Sequence, residues 1–566
     1  MAKARTPIVN STGKTERRRR SERRIEALRT IRNSWHTRWV ELSENIDPKR
    51  GAFYDTAANA ANRGIARDKK IKDTTAREAL RTLQNGMMSG ATSPARPWFR
   101  LGMKSDAFSD DPEVKLWRSE VTKRMLRVFA DSNIYLVLHN AYGDAGLFGT
   151  AGFLLLEDYE DVVRAYPLVL GQFFVGLDHR LAVNTLGREF AMTVGQVVAK
   201  WGYERCSKKV QADWDAGRYD VSLDICHLIE PNEDRDLRLV DAKGMAFREM
   251  YWEKNSNDDF LEVGGYHEFP AIIFRWDVNG NDPYGTSPGM DVLPDVKQLH
   301  SQQVWKGKGI AKQVDPPLNA PATMKNEPVT GVAGGVNFTT EADAKAGLRA
   351  VYQVNLNLSD LKEDMEETRN AIKRGFYADL FFAISQMEGV QPRGNKEIEE
   401  RKDEKFVQLG PVLERLHGEG LGPMVKRVYH LMDRAGLIPE KPDALKDVEP
   451  EIEFISVLAV AQKAVATVGI ERLLQLIGQI FEAFPEAREK VDIFDLIDDY
   501  ADFLGIDPRL IIPTDDAKAA IDQQRKQAQQ QQTLEQVPGL AKSASDLANA
   551  EVGGGISALQ MMTGGA

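Results

Sequence analysis

From Gly149 to Arg275 the sequence consists of short β-branched and aromatic runs. Beyond Gly289 its apolar residues recur every three to four positions. A chain that changes period once, in that order, folds as an α+β protein with a strand-rich part followed by long helices. The runs AGFLLLEDY, YPLVLGQFFVGLD, EFAMTV, YDVSLDICHLIEP, AFREMYWE and AIIFRWDV read as strands, with one helix among them at 194–202. Helices precede them over 20–50, 74–89 and 112–140; the second stops at Gly90, before Pro94 and Pro97. After the switch, 294–313 reads as one helix and 359–382 as another, with a Pro/Gly/Asn-rich stretch between. A long helix over 395–434 carries a candidate kink at Gly410-Pro411. EIEFIS is an isolated strand, and helices over 459–484 and 492–504 follow. Residues 517–536 form a polar Gln/Ala-rich helix ahead of a flexible small-residue end.

The switch itself contains Gly285-Thr286-Ser287-Pro288-Gly289, a formal G-x-S-x-G. In a serine hydrolase the residue after the serine donates its backbone N–H to the oxyanion hole. Here that residue is Pro288, which has no N–H. Losing such a donor costs about 2.7–4 kcal/mol of transition-state stabilisation. Ser287 and Pro288 suit a helix start better, because serine caps and proline is favoured at the first helical position. The helix either starts at Ser287 and bends or starts fully at Pro294.

Other chemical motifs fail on spacing. Gly13-Lys14-Thr15 lacks the first glycine of a phosphate-binding loop, since Ile8 stands there. The oxygen-rich Asp277–Asn281 turn has Asp282 and Pro288 where a calcium loop needs glycine and glutamate. The 8 histidines form no metal spacing, and the 2 cysteines, Cys206 and Cys226, form no metal or redox pattern. Neither a catalytic site nor a cofactor or metal site is expected. Two thiols in 566 residues fit a reducing compartment. No run is long and apolar enough to span a membrane.

The net charge is −10, yet residues 1–40 hold ten arginines and two lysines against three acids. The run Arg17–Arg24 (RRRRSERR) reads either as a solvated helix face or as a basic arm for nucleic acid or an acidic protein surface. A chain acidic overall is not built as a tight general nucleic-acid binder.

Five stretches, in order, resemble the portal, or head-to-tail connecting, proteins of short-tailed bacteriophages. They are NGMMSGATSPARPWFRL (85–101), PYGTSPGMDVLPDVKQL (283–299), VDPPLNAP (314–321), EERKDEKFVQLGPVLER (399–415) and EFISVLAVAQK (453–463). The resemblance implies a homo-oligomeric ring, usually a dodecamer, at one capsid vertex. Double-stranded DNA enters and leaves through such a ring without sequence recognition. Implied partners are the major capsid protein and scaffold, terminase during packaging and a tail adaptor afterwards. Mapped onto this chain, 1–288 and 435–456 form the wing, 289–313 and 359–376 the stem helices and 314–358 the clip. Residues 377–395 form the tunnel loop, 396–434 the tunnel helix, 457–510 the crown and 511–566 the tail. Lys306, Lys308 and Lys312 late in the first stem helix, and Asp360, Glu363, Asp364, Glu366 and Glu367 early in the second, are candidates for pairing within or between subunits. Arg393, Lys396, Arg401, Lys402 and Lys405 are candidates for transient phosphate contact; the competing reading of the last three is pairing with nearby glutamates along one helix. Three other functions compete with this one: a scaffold or tail adaptor that never encircles DNA, a hydrolase using Ser287, and RNA binding through the basic arm.

Overall fold

A computed structural model describes residues 14–53, 68–102, 111–314, 318–319, 349–350, 358–381, 409–445, 450–456, 458, 497, 517–524 and 526–527. The chain divides into two units. One comprises 1–101, 121–440 and 451–467, and the other 102–120, 441–450 and 468–566.

The first unit is mixed α and β, as the change of period requires. It opens with α1 (Glu16–Asn45), where Thr15 Oγ1 accepts from Arg18 N at 3.2 Å and caps the start. α1 lies on a five-stranded antiparallel sheet of order β4-β5-β6-β7-β8 (β4, Phe173–Leu177; β5, Val183–Thr193; β6, Ser222–Pro231; β7, Phe247–Glu253; β8, Glu262–Tyr266). Side chains alternate across a strand, and the two faces of this sheet sort accordingly. Cys226 and Leu228 of β6 and Met250 and Trp252 of β7 meet Ile25 and Leu28 of α1. Ile225 and Tyr251 face the other way, under α5 (Val194–Trp201) and α6 (Lys208–Asp215), among Val194, Val197, Trp201 and Val210. A capping box formed by Thr193 and Gln196 starts α5.

Most of the run Arg17–Arg24 is the solvated helix face of one sequence-based reading, with Arg17, Arg19, Arg20, Arg23 and Arg24 exposed; Arg18 is the exception. Arg18 is fully buried, its guanidinium 4.5 Å from the Trp252 ring and its Nη2 donating to Glu253 O at 3.3 Å. Arg20 pairs with Glu233 at 2.6 Å, Arg17 with Asp234 at 3.5 Å, and Arg29 with Glu189. Arg32 donates to Gly171 O at 2.6 Å. Arg18, with Arg29 and Arg32 beyond the run, thus ties α1 to the sheet and its turns, while the rest of the run stays at the surface.

A second sheet has the order β3-β2-β9 (β2, Thr150–Asp158; β3, Val162–Pro167; β9, Ala271–Arg275). α4 (Ile134–Phe148) packs beside it, and α2 (Thr75–Ala91) packs on α4. The expected helix over 112–140 is in fact two, α3 (Pro112–Asp131) and α4. They separate at Asn133, whose carboxamide accepts from Ala165 N and donates to Ala165 O, both at 2.8 Å, on the edge strand β3. The expected isolated strand, β10 (Glu451–Phe454), pairs with β1 (Phe99–Gly102), and Arg100 meets Glu453 across them at 2.8 Å. In the second unit, 517–524 are helical, with 518–524 exposed, and 443–445 form a 3-10 turn. The crown expectation over 457–510 lies almost wholly outside the described residues.

Candidate functional site

The joint at 284–288 is built from both sheets and two helices. Tyr284 is buried edge-on against Trp39, 5.0 Å between rings, and its hydroxyl accepts from Val175 N at 3.2 Å. Gly285 N donates to Thr150 Oγ1 at 2.9 Å. Gly149 ends α4 at φ +82, and a Cβ there would stand 2.1 Å from Gly285 O, so no other residue fits. Ser287 is buried; its hydroxyl donates to Leu147 O at 2.7 Å and accepts from Met290 N at 3.1 Å. This serine is a helix cap facing backbone on both sides. α7 then runs Pro288–Val314 as one helix with Pro294 inside it, so it starts six residues before Pro294. At 1.5 Å per residue its 27 residues extend about 40 Å.

α7 pairs with α8 (Leu358–Gly375) in antiparallel fashion. Gln302 Nε2 donates to Asp364 Oδ2 at 2.6 Å and to Thr368 Oγ1 at 3.4 Å, while further down a Cβ on Gly375 would lie 2.2 Å from Val292. Both helices are tied to the segment before α2 through one carboxylate. Asp73 Oδ2 accepts from Arg369 Nη2 at 2.9 Å and Gln303 Nε2 at 2.8 Å, and Oδ1 accepts from Thr75 N at 2.9 Å and from the Thr75 hydroxyl. Burial alone would raise the Asp73 carboxyl, but the Thr75, Arg369 and Gln303 hydrogen bonds outweigh it and hold it well below the usual carboxylate range.

The helical segment 409–415 continues into a π-type stretch, Leu416–Leu421, and then α9 (Gly422–Arg434). The departure from α geometry therefore falls after Gly410-Pro411, the expected kink. It carries Glu419 to the buried Arg275 of β9, where Nη2–Oε1 is 2.7 Å, Nε–Oε2 is 3.0 Å and the Arg275 N–H also meets Oε2 at 3.1 Å. Further along, Arg427 donates to Leu155 O at 2.8 Å and pairs with Glu268 at 3.3 Å.

The candidate stem charges stand at the far end of the helix pair. Lys308 and Lys312 are exposed, Lys306 is half-buried, and Asp360, Glu363, Asp364, Glu366 and Glu367 are all exposed. Asp364 is taken by Gln302 and Glu366 by Arg369 at 3.2 Å. Among the described residues Lys306, Lys308, Glu363 and Glu367 form no ion pair within the chain. The sequence reading passed over Val304, Trp305, Ile310 and Val314, apolar residues left exposed on the same part of α7. Arg393, Lys396, Arg401, Lys402 and Lys405 lie outside the described residues. Among the described residues no cluster of His, Cys, Asp or Glu could hold a metal, and no helix is long and apolar enough to cross a membrane. Burial pushes the thiols of Cys206 and Cys226 up to about 12, far from a reactive thiolate.

These features define a structural subunit that fixes long helices on a sheet platform. Residues 18–512 match the family model described as bacteriophage head to tail connecting protein, and the chain belongs to that family. It is 40% identical over 523 residues to a probable portal protein of Bordetella phage BPP-1, covering 92% of this chain and 93% of that protein. It is 35% identical over 531 residues to the portal protein of Salmonella phage epsilon15, covering 94% and 95%. The family is structural rather than enzymatic, which agrees with the cap role of Ser287.

Proposed function

We propose that this head-to-tail connecting protein closes into a ring at one capsid vertex and forms the channel through which double-stranded DNA is packaged, retained and ejected. The observation that carries this reading is family membership across 18–512, together with near full-length similarity to two phage portal proteins. The architecture is compatible: a long helix pair rises from a β-rich body and is held there by a capped start and the Asp73 hub, while the Glu419–Arg275 latch ties the stretch before α9 to β9. In this reading the α7–α8 pair is the stem, the two sheets and α1–α6 form the wing, and 314–358 is the clip that meets terminase and then the tail adaptor. Residues 377–395 and 396–434 are the tunnel loop and helix, and 457–510 the crown facing the capsid interior. An overall charge of −10 suits a conduit, since cargo slides only where few counterions are released at any one place. Arg393, Lys396, Arg401, Lys402 and Lys405 supply sparse phosphate contacts. Electron microscopy of the purified protein tests the reading: rings with an open centre are expected, and monomers or elongated dimers overturn it.

A further inference from the structure

The stem charges raise a narrower question: whether they join α7 to α8 in one subunit or join neighbouring subunits. On α7 the residues that meet α8 include Gln302 and Val292. At about 100° per residue, Lys308 stands roughly 120–160° away from them, on the outer flank. Val304, Gly307 and Ala311 share that flank, one turn apart. All four are exposed, and among the described residues a Cβ built on Gly307 would touch nothing within 4 Å. On α8 the residues that meet α7 include Asp364, Thr368 and Gly375. Glu363 stands roughly 100–140° from these, and the sense of rotation puts it on the opposite outer flank of the pair, near Glu367. Lys308 and Glu363 therefore point away from each other within one chain, and neither finds an ion-pair partner there among the described residues.

The two flanks match each other at the same height. Because Gln302 is level with 364–368 and the helices are antiparallel, Lys308 is level with 358–362. Glu363 is then displaced along the axis by about one helical turn or less, roughly 5 Å, within reach of a lysine side chain. Rotation about an axis parallel to the stem preserves height, and a ring joins two different patches head to tail. We infer that the α7 flank of one copy (Val304, Gly307, Lys308, Ala311) seats against the α8 flank of the next, with Lys308 pairing with Glu363 across the seam. The open space over Gly307 admits the neighbouring helix. This inference rests on the ring reading above and names the partner surface as a second copy of this chain.

Charge exchange tests it. Lys308→Glu and Glu363→Lys each place like charges at every seam, and each is expected to lose most of its rings by light scattering and microscopy. Mixing the two variants restores only favourable pairs, K308 with E363 and their exchanged counterparts, in alternating copies. Restored rings on mixing are therefore the expected result. Rescue only when both substitutions share one chain would place the pair inside a subunit and overturn the inference. Gly307→Leu, at a site with no neighbour among the described residues, is expected to keep the helical circular dichroism of the subunit and lose rings. If wild type forms rings and all three variants keep them, the seam lies elsewhere and the ring reading survives. If wild type forms no ring, that reading fails first.

Discussion

At the residue scale, Ser287 and Pro288 show how much local chemistry a sequence can carry. A proline after the serine removes an oxyanion donor and favours a helix start, and the hydroxyl indeed caps α7. Ser287→Ala is expected to cost about 0.5–2 kcal/mol of stability, read as a lower denaturation midpoint. Arg275 and Glu419 were invisible by the same reasoning, because 144 residues separate them and each alone looks like an ordinary surface charge. Removing Glu419 leaves a buried guanidinium without its carboxylate, so Glu419→Ala should cost about 3–5 kcal/mol. An unchanged midpoint would deny the latch its role. His227 was equally silent. Its Nδ1 accepts from Arg188 Nε at 2.8 Å, so its Nε2–H donates to Glu249 Oε1 at 3.0 Å, and it stacks on Tyr251. Burial first, then the Arg188 charge, lower its pKa from 6.5 to about 3, against the opposing pull of Glu249. Between those values only the unfolded imidazole is protonated. The contribution to stability is complete above pH 6.5 and is lost as pH falls toward 3. The slope from this one group reaches about 1.4 kcal/mol per pH unit. In His227→Gln the loss of stability with acid should be shallower over that window, measured by denaturation at several pH values.

At the element scale, strands and long helices were legible because period alone sets them, and the points of failure were the connections. The apolar pattern continues across Ser132-Asn133, so α3 and α4 read as one helix; the break follows from Asn133 turning its side chain to the edge of β3. β8 (EVGGY) escaped notice because two of its five residues are glycines, which carry no side-chain pattern. The arginines of α1 were read by charge, while their placement depends on Trp252, Glu189 and the 233–234 carboxylates, remote in sequence. Deleting residues 1–24 removes Arg18 from its site over Trp252. The expected outcome is a less stable subunit, detected by thermal melting. A fold unaffected by the deletion, together with loss of salt-dependent nucleic-acid binding, would restore the arm reading. Asp73 links three elements, so Asp73→Ala should loosen both α7 and α8 from the body. Faster backbone hydrogen exchange over 288–314 and 358–375 is the expected signature, with little change in the five-stranded sheet.

At the scale of the whole molecule the question is what the proposed ring does to DNA. Affinity for a duplex grows with the number of phosphates neutralised and falls with salt in proportion. A channel that gripped its cargo with many cations would package slowly and release poorly, whereas one with none would not hold a packaged genome. A few cations repeated around a ring lie between these limits. Arg393 and Lys396 are the candidates to test first, because they stand in and just after the proposed tunnel loop, whereas Arg401, Lys402 and Lys405 have the competing reading of pairing with Glu397, Glu399, Glu400 and Glu404 along one helix. Replacing Arg393 and Lys396 by alanine should leave ring assembly intact, since the seam proposed above lies on α7 and α8. The same rings should retain less packaged DNA, and the deficit should shrink at high salt, where wild-type contacts are screened as well. Retention equal to wild type at every salt concentration, in rings that assemble normally, would remove both residues from the channel surface. Retention that falls equally at all salt concentrations would assign the loss to a change in channel shape rather than to phosphate contact.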